Sequence, residues 1–255
     1  GGTLAAFGHD GPAVAARFAT RLDLPAPLIP WHTARQPVAA LGSALAVATA
    51  TAAKVTGDVA LLMQAEVAEA SEPPGRGGSS TLPQKHNPVA ATLVDAAARR
   101  AAPLAATLAA SVVAQHERPA GAWHAEWQPL AELLQLAGGA AAEAAGVVTG
   151  LEVHPATMRA NLVRLDGPLL AERVVLTLTP LIGREAATAA VAGAAAVTAG
   201  GTASFADALG LDGRVRAVLP PAEIARLLDP SGYLGSAGQW VDRALAAYRG
   251  EVPVP

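Results

Sequence analysis

The chain has no cysteine in its 255 residues, which excludes disulfides, thiolate nucleophiles and zinc sites built on sulfur. Charge is scarce: charged residues make up 15% of the sequence against 52% apolar, so core material is ample and a disordered tail is not expected. A net charge of −3 and a pI near 6.1 offer no basic surface for nucleic acid or an anionic membrane. No run of about 18 uninterrupted, strongly apolar residues occurs, so no membrane-spanning helix is expected. Six histidines with no i, i+4 pair point to no metal site. Lysine is nearly missing: Lys54 and Lys85 stand alone among 18 basic residues, the rest being arginine. The opening stretch GGTLAAFGHDG lacks the basic flank and apolar core of a signal peptide, so a cytoplasmic location is expected.

What is present is apolar and helical. A mean hydropathy of +0.34 is high for a monomer, and burial between subunits of an oligomer accounts for the surplus. After the proline-rich LPAPLIPWHTARQP, residues 24–37, Val38, Leu41, Leu45, Val55, Val59, Leu62 and Met63 keep helical spacing towards Glu69. Pro73, Pro74 and the glycines that follow end this helix. A second long run carries Leu93, Val94, Ala97, Leu104, Leu108 and Val112, with an expected kink at Pro103. A third helix is expected over roughly 126–151. LEVHPATMRANLVRLDGP then breaks the pattern, and shorter amphipathic segments follow near 169–181, 184–199, 221–228 and 236–249. Sustained period-two alternation is missing, so the expected class is all-α. The expected division is a long-helix bundle domain over 1–160 and a small C-terminal helical domain over 161–255.

One stretch differs from its surroundings: GRGGSSTLPQKHNP, residues 75–88, between the first two long helices. Gly77 and Gly78 admit backbone conformations closed to other residues and leave amides free to face an anion. Ser79 and Ser80 supply hydroxyls, Lys85 a compact positive charge, and Asn87 a donor and an acceptor. This inventory suits gripping a carboxylate and moving a proton beside it. A polar connector rich in turn formers accounts for the same residues equally well. The spacing of a phosphate-binding loop is missing, and so is the G-x-S-x-G elbow of a serine hydrolase.

At this point the string resembles a known signature. GSSTLPQKHNP is similar to the Gly-Ser-Ser and Pro-x-Lys-x-Asn-Pro loop of the fumarase/aspartase superfamily, at Gly78, Ser79, Ser80, Pro83, Lys85, Asn87 and Pro88. Leu82 stands where Met is usual, a swap of similar volume. PWHTARQPVAALGSALA, ALLMQAEVAEASEP, AQHERPAGAWHAEWQPLAELLQL and LLDPSGYLGSAGQWVDRAL look like segments of the bacterial carboxymuconate lactonizing enzymes, so the likeness runs across nearly the whole chain. Family members are longer and begin with a region carrying a Thr-x-x-His segment that this sequence lacks.

The resemblance implies an enzyme that closes 3-carboxy-cis,cis-muconate to carboxymuconolactone in aromatic catabolism, through a carbanion held as an aci-carboxylate. It implies Ser79 as the proton-transfer group with Lys85 beside it. Ser80, Asn87, Gln84, Arg118 and His32 become substrate contacts. It implies a small polycarboxylate substrate, no metal or organic cofactor, and a homotetramer whose active sites are shared between subunits. Two alternatives stay open. One is a C–N lyase releasing fumarate from a 2-substituted succinate of the nitrosuccinate or adenylosuccinate type, against whose adenylosuccinate form the missing Ser-rich stretch at AGAWHAEW argues. The other is a non-catalytic helical oligomerisation module.

Other polar residues have competing roles. Arg35 accompanies His32 as a pocket candidate, and His116 and Glu117 either line the pocket with Arg118 or cap a helix start. Trp123, His124 and Trp127 shape the pocket or pack as core and interface anchors. His86 faces solvent as readily as substrate. Gln64 and Glu66 are expected to be structural, as are Glu172 and Arg173, which point apart on a helix. His9 and His154 are expected at the surface.

Overall fold

The computed structural model describes residues 2–30, 32, 34–82, 85–116, 119–164 and 167–251. Its contacts divide the chain into two compact units, residues 1–155 and 156–255.

The first unit is built on three long helices that follow a short N-terminal one, α1 (Gly11–Arg21). They are α2 (Gln36–Leu62), α3 (Val89–Ala110) and α4 (Ala122–Thr149). At 1.5 Å per residue, α2 is about 40 Å long. Its apolar positions recur every three or four residues, and the core they form has three layers. Val38 and Leu45 meet Ala101, Ala105, Leu108 and Leu133 in the first; Ala52 and Ala53 meet Val94, Ala97 and Ala140 in the second. Val59 and Met63 meet Ala90 and Val147 in the third. The order of the layers makes α3 antiparallel to both α2 and α4. The C-terminus of α2, the N-terminus of α3 and the C-terminus of α4 therefore share one end of the bundle, where the loop of residues 71–88 lies.

Several boundaries depart from expectation. α2 ends at Leu62, short of Glu69, because residues 64–68 turn back on the Gln64 carbonyl, which accepts the amides of Val67 and Ala68. α3 ends at Ala110, short of Val112, and holds Pro103 within it, whose missing N–H costs one bond. Between the helices a two-residue antiparallel ladder forms, β1 (Ala70–Ser71) with β2 (Glu152–Val153), a minor exception to an all-helical class.

By length and composition alone α2 would suffice to cross a membrane, a test that a core helix of a bundle passes as well. Its outer face, however, carries the exposed ion pair of Lys54 and Asp58, a costly feature against lipid. Its buried hydroxyls, Thr49 and Thr56, donate to the carbonyls of Leu45 and Ala52 one turn back.

In the second unit, α5 (Pro155–Arg164) occupies the stretch expected as a break, its Pro155 taking the first helical position, where a missing N–H costs nothing. Then come α6 (Ala171–Ile182), α7 (Arg184–Ala199), α8 (Phe205–Leu211), α9 (Gly213–Val218), α10 (Pro221–Leu227) and α11 (Ala237–Tyr248). Val174, Leu178, Ala190, Phe205, Leu209 and Val215 centre its core. Ser204 and Asp212 cap α8 and α9 by accepting the amides of Asp207 and Arg214. Arg173 is structural, as expected: it donates to the carbonyls of Leu227 and Asp229 at 2.9 and 3.0 Å and closes the end of α10.

Candidate active site

The loop between α2 and α3 is built by tethers. Pro73 and Pro74 stop the chain from re-entering a helix, and the backbone must reverse within a few residues. Gly77 takes φ +79°, and a Cβ there would lie 2.2 Å from the Asn87 carbonyl oxygen, so only glycine fits. The close approach lets the Gly77 carbonyl accept two bonds from Asn87, from the backbone N–H at 2.9 Å and from Nδ2 at 2.8 Å. Gly78 and His86 form an antiparallel bridge directly above that closure.

Ser79 sits just beyond the bridge and is half-buried. Its Oγ accepts the amide of Leu82 at 3.1 Å and that of Thr81 at 3.3 Å, and the Thr81 hydroxyl lies 3.4 Å away. Two amide dipoles therefore converge on one hydroxyl oxygen. Amides aimed at an oxygen favour its charged form, so this arrangement lowers the cost of a developing serinate. The Lys85 amide donates to the Leu82 carbonyl at 3.0 Å and closes the turn. The Lys85 side chain is exposed and makes no ion pair with another described residue. Ser80 and His86 are exposed as well.

Two further groups hold the loop to the bundle, and sequence alone singled out neither. Glu72 reaches across the loop, its carboxylate accepting the amides of Ala90 and Ala91 at 3.1 and 2.9 Å. Arg76 pairs bidentately with Glu143 on α4, at 2.7 and 3.1 Å. Each partner favours the other's charged form: hydrogen bonding holds Glu143 below the ordinary carboxylate range and Arg76 above its usual value. A cavity of about 540 Å³ opens behind the loop, with Glu72, Arg76, Asn87, Glu152 and His154 in its wall. His154 is half-buried there and its Nδ1 lies 3.0 Å from the Ala68 carbonyl, which corrects its expected place at the surface.

The remaining candidates lie elsewhere. His32 lines a separate, largely apolar cavity of about 700 Å³ with Leu4, Phe18, Leu28 and Ile29. Arg35 is engaged by Glu126, a buried carboxylate on α4, through two bonds of 3.0 Å from Nε and a further short one. That hydrogen bonding raises the Arg35 pKa beyond its ordinary value. His124 caps its own helix by accepting the Gly121 amide at 3.4 Å, and packs with Trp123 and Trp127 at ring separations of 5.4 and 4.8 Å. His116 adopts φ +53° in the connection before α4. Gln84, Glu117 and Arg118 lie outside the described residues, as does Pro83 of the signature.

An all-helical bundle with a tethered Gly-Ser-Ser loop at one end defines a class, and the chain belongs to the fumarase/aspartase superfamily of lyases. A family model described as Lyase matches residues 1–102, and one described as Adenylosuccinate lyase C-terminus matches residues 167–244. Within that class, the chain is 45% identical over 249 residues to the 3-carboxy-cis,cis-muconate cycloisomerase of Pseudomonas aeruginosa, covering 97% of this chain and 54% of that protein. It is 44% identical over 227 residues to the nitrosuccinate lyase of Streptomyces davaonensis, covering 88% and 48%. The crystal structure of the 3-carboxy-cis,cis-muconate lactonizing enzyme from Pseudomonas putida superposes with a TM-score of 0.90 at 38% identity, covering 97% of this chain and 55% of that one. The chain thus spans about half the length of the curated relatives it matches.

Proposed function

We propose that the chain carries the proton-transfer loop of a cycloisomerase that closes 3-carboxy-cis,cis-muconate to carboxymuconolactone. The observation that carries this reading is the convergence of the Leu82 and Thr81 amides on Ser79 Oγ. In the lactonizing direction a substrate carboxylate oxygen adds to one alkene carbon. The π electrons move to the neighbouring carbon and into its carboxylate, giving the aci-carboxylate. Ser79 then delivers its proton to that carbon, and the serinate left behind is held by the two amides until a proton returns from solvent. Lys85, exposed beside this turn, supplies positive charge to the substrate carboxylates, with Ser80, Gln84 and Arg118 as further contacts. His32 lines a cavity of its own, and a substrate role for it would require a substrate reaching that cavity. Asn87 serves the loop by holding Gly77, so its effect on substrate is exerted through Ser79.

The exposed apolar residues of the bundle, among them Val47 and Leu61 on α2, Leu93 on α3 and Trp127 and Val148 on α4, favour a homo-oligomer in which other copies cover them. A tetramer with shared sites fits that surface.

The identity to a nitrosuccinate lyase keeps one further reading: elimination of nitrite from nitrosuccinate to leave fumarate, by removal of a proton at the same kind of carbon. Offering each substrate separately decides between them. The proposal expects loss of the conjugated-diene absorbance with 3-carboxy-cis,cis-muconate and no nitrite from nitrosuccinate. Nitrite release with a persistent diene would replace it by the lyase, and neither reaction would leave a non-catalytic helical module.

A further inference from the structure

Glu72 lies on no helix, yet its carboxylate is bound at the start of one. Its two oxygens accept the amides of Ala90 and Ala91, the second and third residues of α3. These are donors that a helix leaves without an internal partner, and the residue at the cap position, Pro88, offers them no side chain. The anion also meets the positive end of the helix dipole. Because 18 residues separate Glu72 from Ala90, this cap closes the whole loop into a ring. Inside the ring the next closure is Asn87 on Gly77, then the bridge of Gly78 with His86, then Ser79. Each closure fixes the ends of the one within it, and the innermost holds the two amides on the Ser79 oxygen.

We infer that Glu72 is a positioning residue for Ser79, setting the orientation of its hydroxyl from outside the site by clamping the loop's entry to the first turn of α3. The catalytic consequence rests on the proposed role of Ser79 in proton transfer; the mechanical consequence does not. A clamp differs from a simple helix cap in what its loss disturbs. A cap stabilises Ala90 and Ala91 alone, whereas a clamp also orders Thr81 and Leu82, which lie at the far side of the ring.

Amide hydrogen exchange on Glu72→Ala and Glu72→Gln, with activity measured in parallel, tests the inference. Exchange at Thr81 and Leu82 is expected to quicken by about tenfold in Glu72→Ala, together with that at Ala90 and Ala91. Glu72→Gln, which keeps one carbonyl acceptor, is expected to fall between, and it serves as the test should Glu72→Ala not fold. In the diene assay kcat is expected to fall by about 10- to 100-fold with KM within about twofold, since misplacement of the proton donor acts on the chemical step. Faster exchange confined to Ala90 and Ala91, with Thr81 and Leu82 unchanged, overturns the inference. A parent protein that leaves the diene intact refutes the proposed function instead, and the exchange at Thr81 and Leu82 still decides the role of Glu72.

Discussion

Arg35, one residue before α2, and Glu126, near the start of α4, are 91 residues apart in sequence and joined by bonds of 3.0 Å in a part-buried ion pair. The pair fastens the far end of the bundle from the signature loop, where α2 begins beside the first turns of α4. Removing one partner leaves an uncompensated charge, and the cost of that exceeds the net worth of the pair. Arg35→Met is therefore expected to lower unfolding stability in urea by about 3–5 kcal/mol. The double variant Arg35→Met/Glu126→Leu is expected to recover most of that loss, because it removes the buried carboxylate as well. Equal destabilisation by the single and double variants would mean that the pair is not what the bundle end depends on.

Gly77→Ala tests the backbone of the loop. The new Cβ would sit 2.2 Å from the Asn87 carbonyl, at a φ of +79° that already disfavours a side chain by about 1 kcal/mol. The loop must shift to accept it, and Ser79 is two residues away. Catalytic rate is expected to fall by about 100-fold or more while far-UV circular dichroism stays that of the parent, because the helices do not depend on this turn. Activity within about twofold of the parent would show that Asn87 and Gly77 need not touch for the loop to work.

The second unit has a pH-sensitive contact of its own. Asp212 caps α9 and accepts the Arg214 side chain, whose hydrogen bonds lower its pKa from 3.8 to about 2. A carboxylate depressed on folding contributes stability that is fully present above pH 3.8 and is lost as pH falls through about 2. Thermal unfolding between pH 5 and 2 is expected to show a steeper acid decline for the parent than for Asp212→Asn, the two curves converging at the acid end. Parallel curves across that window would remove Asp212 from the account of acid sensitivity.

What was legible in the sequence follows from how local each signal is. The three long helices announce themselves through period-3.6 apolar spacing sustained over twenty residues or more, and the Gly-Ser-Ser loop through its contrast with them. The short helices α8 and α9 carried a usable signal in Ser204 and Asp212, residues that accept amides at helix starts. Pro155 signals α5 by the same logic, since proline suits the first position of a helix. The ladder of Ala70–Ser71 with Glu152–Val153 is two residues long on each side and joins segments 81 apart, too short for any periodicity. Glu72 and Arg76 pass in sequence as charges in a turn, and Glu126 as one more polar residue of a helix. Their roles come from partners that only the folded chain brings near.

The central claim is that Ser79 moves the proton, and the ultraviolet absorbance of 3-carboxy-cis,cis-muconate measures it most directly. Ring closure destroys the conjugated diene, so the signal is expected to fall with the parent protein and to persist with Ser79→Ala, at a rate lower by about 1,000-fold or more. A Ser79→Ala protein that consumes the diene as fast as the parent would contradict the account, because the two amides would then be holding an oxygen the reaction does not use.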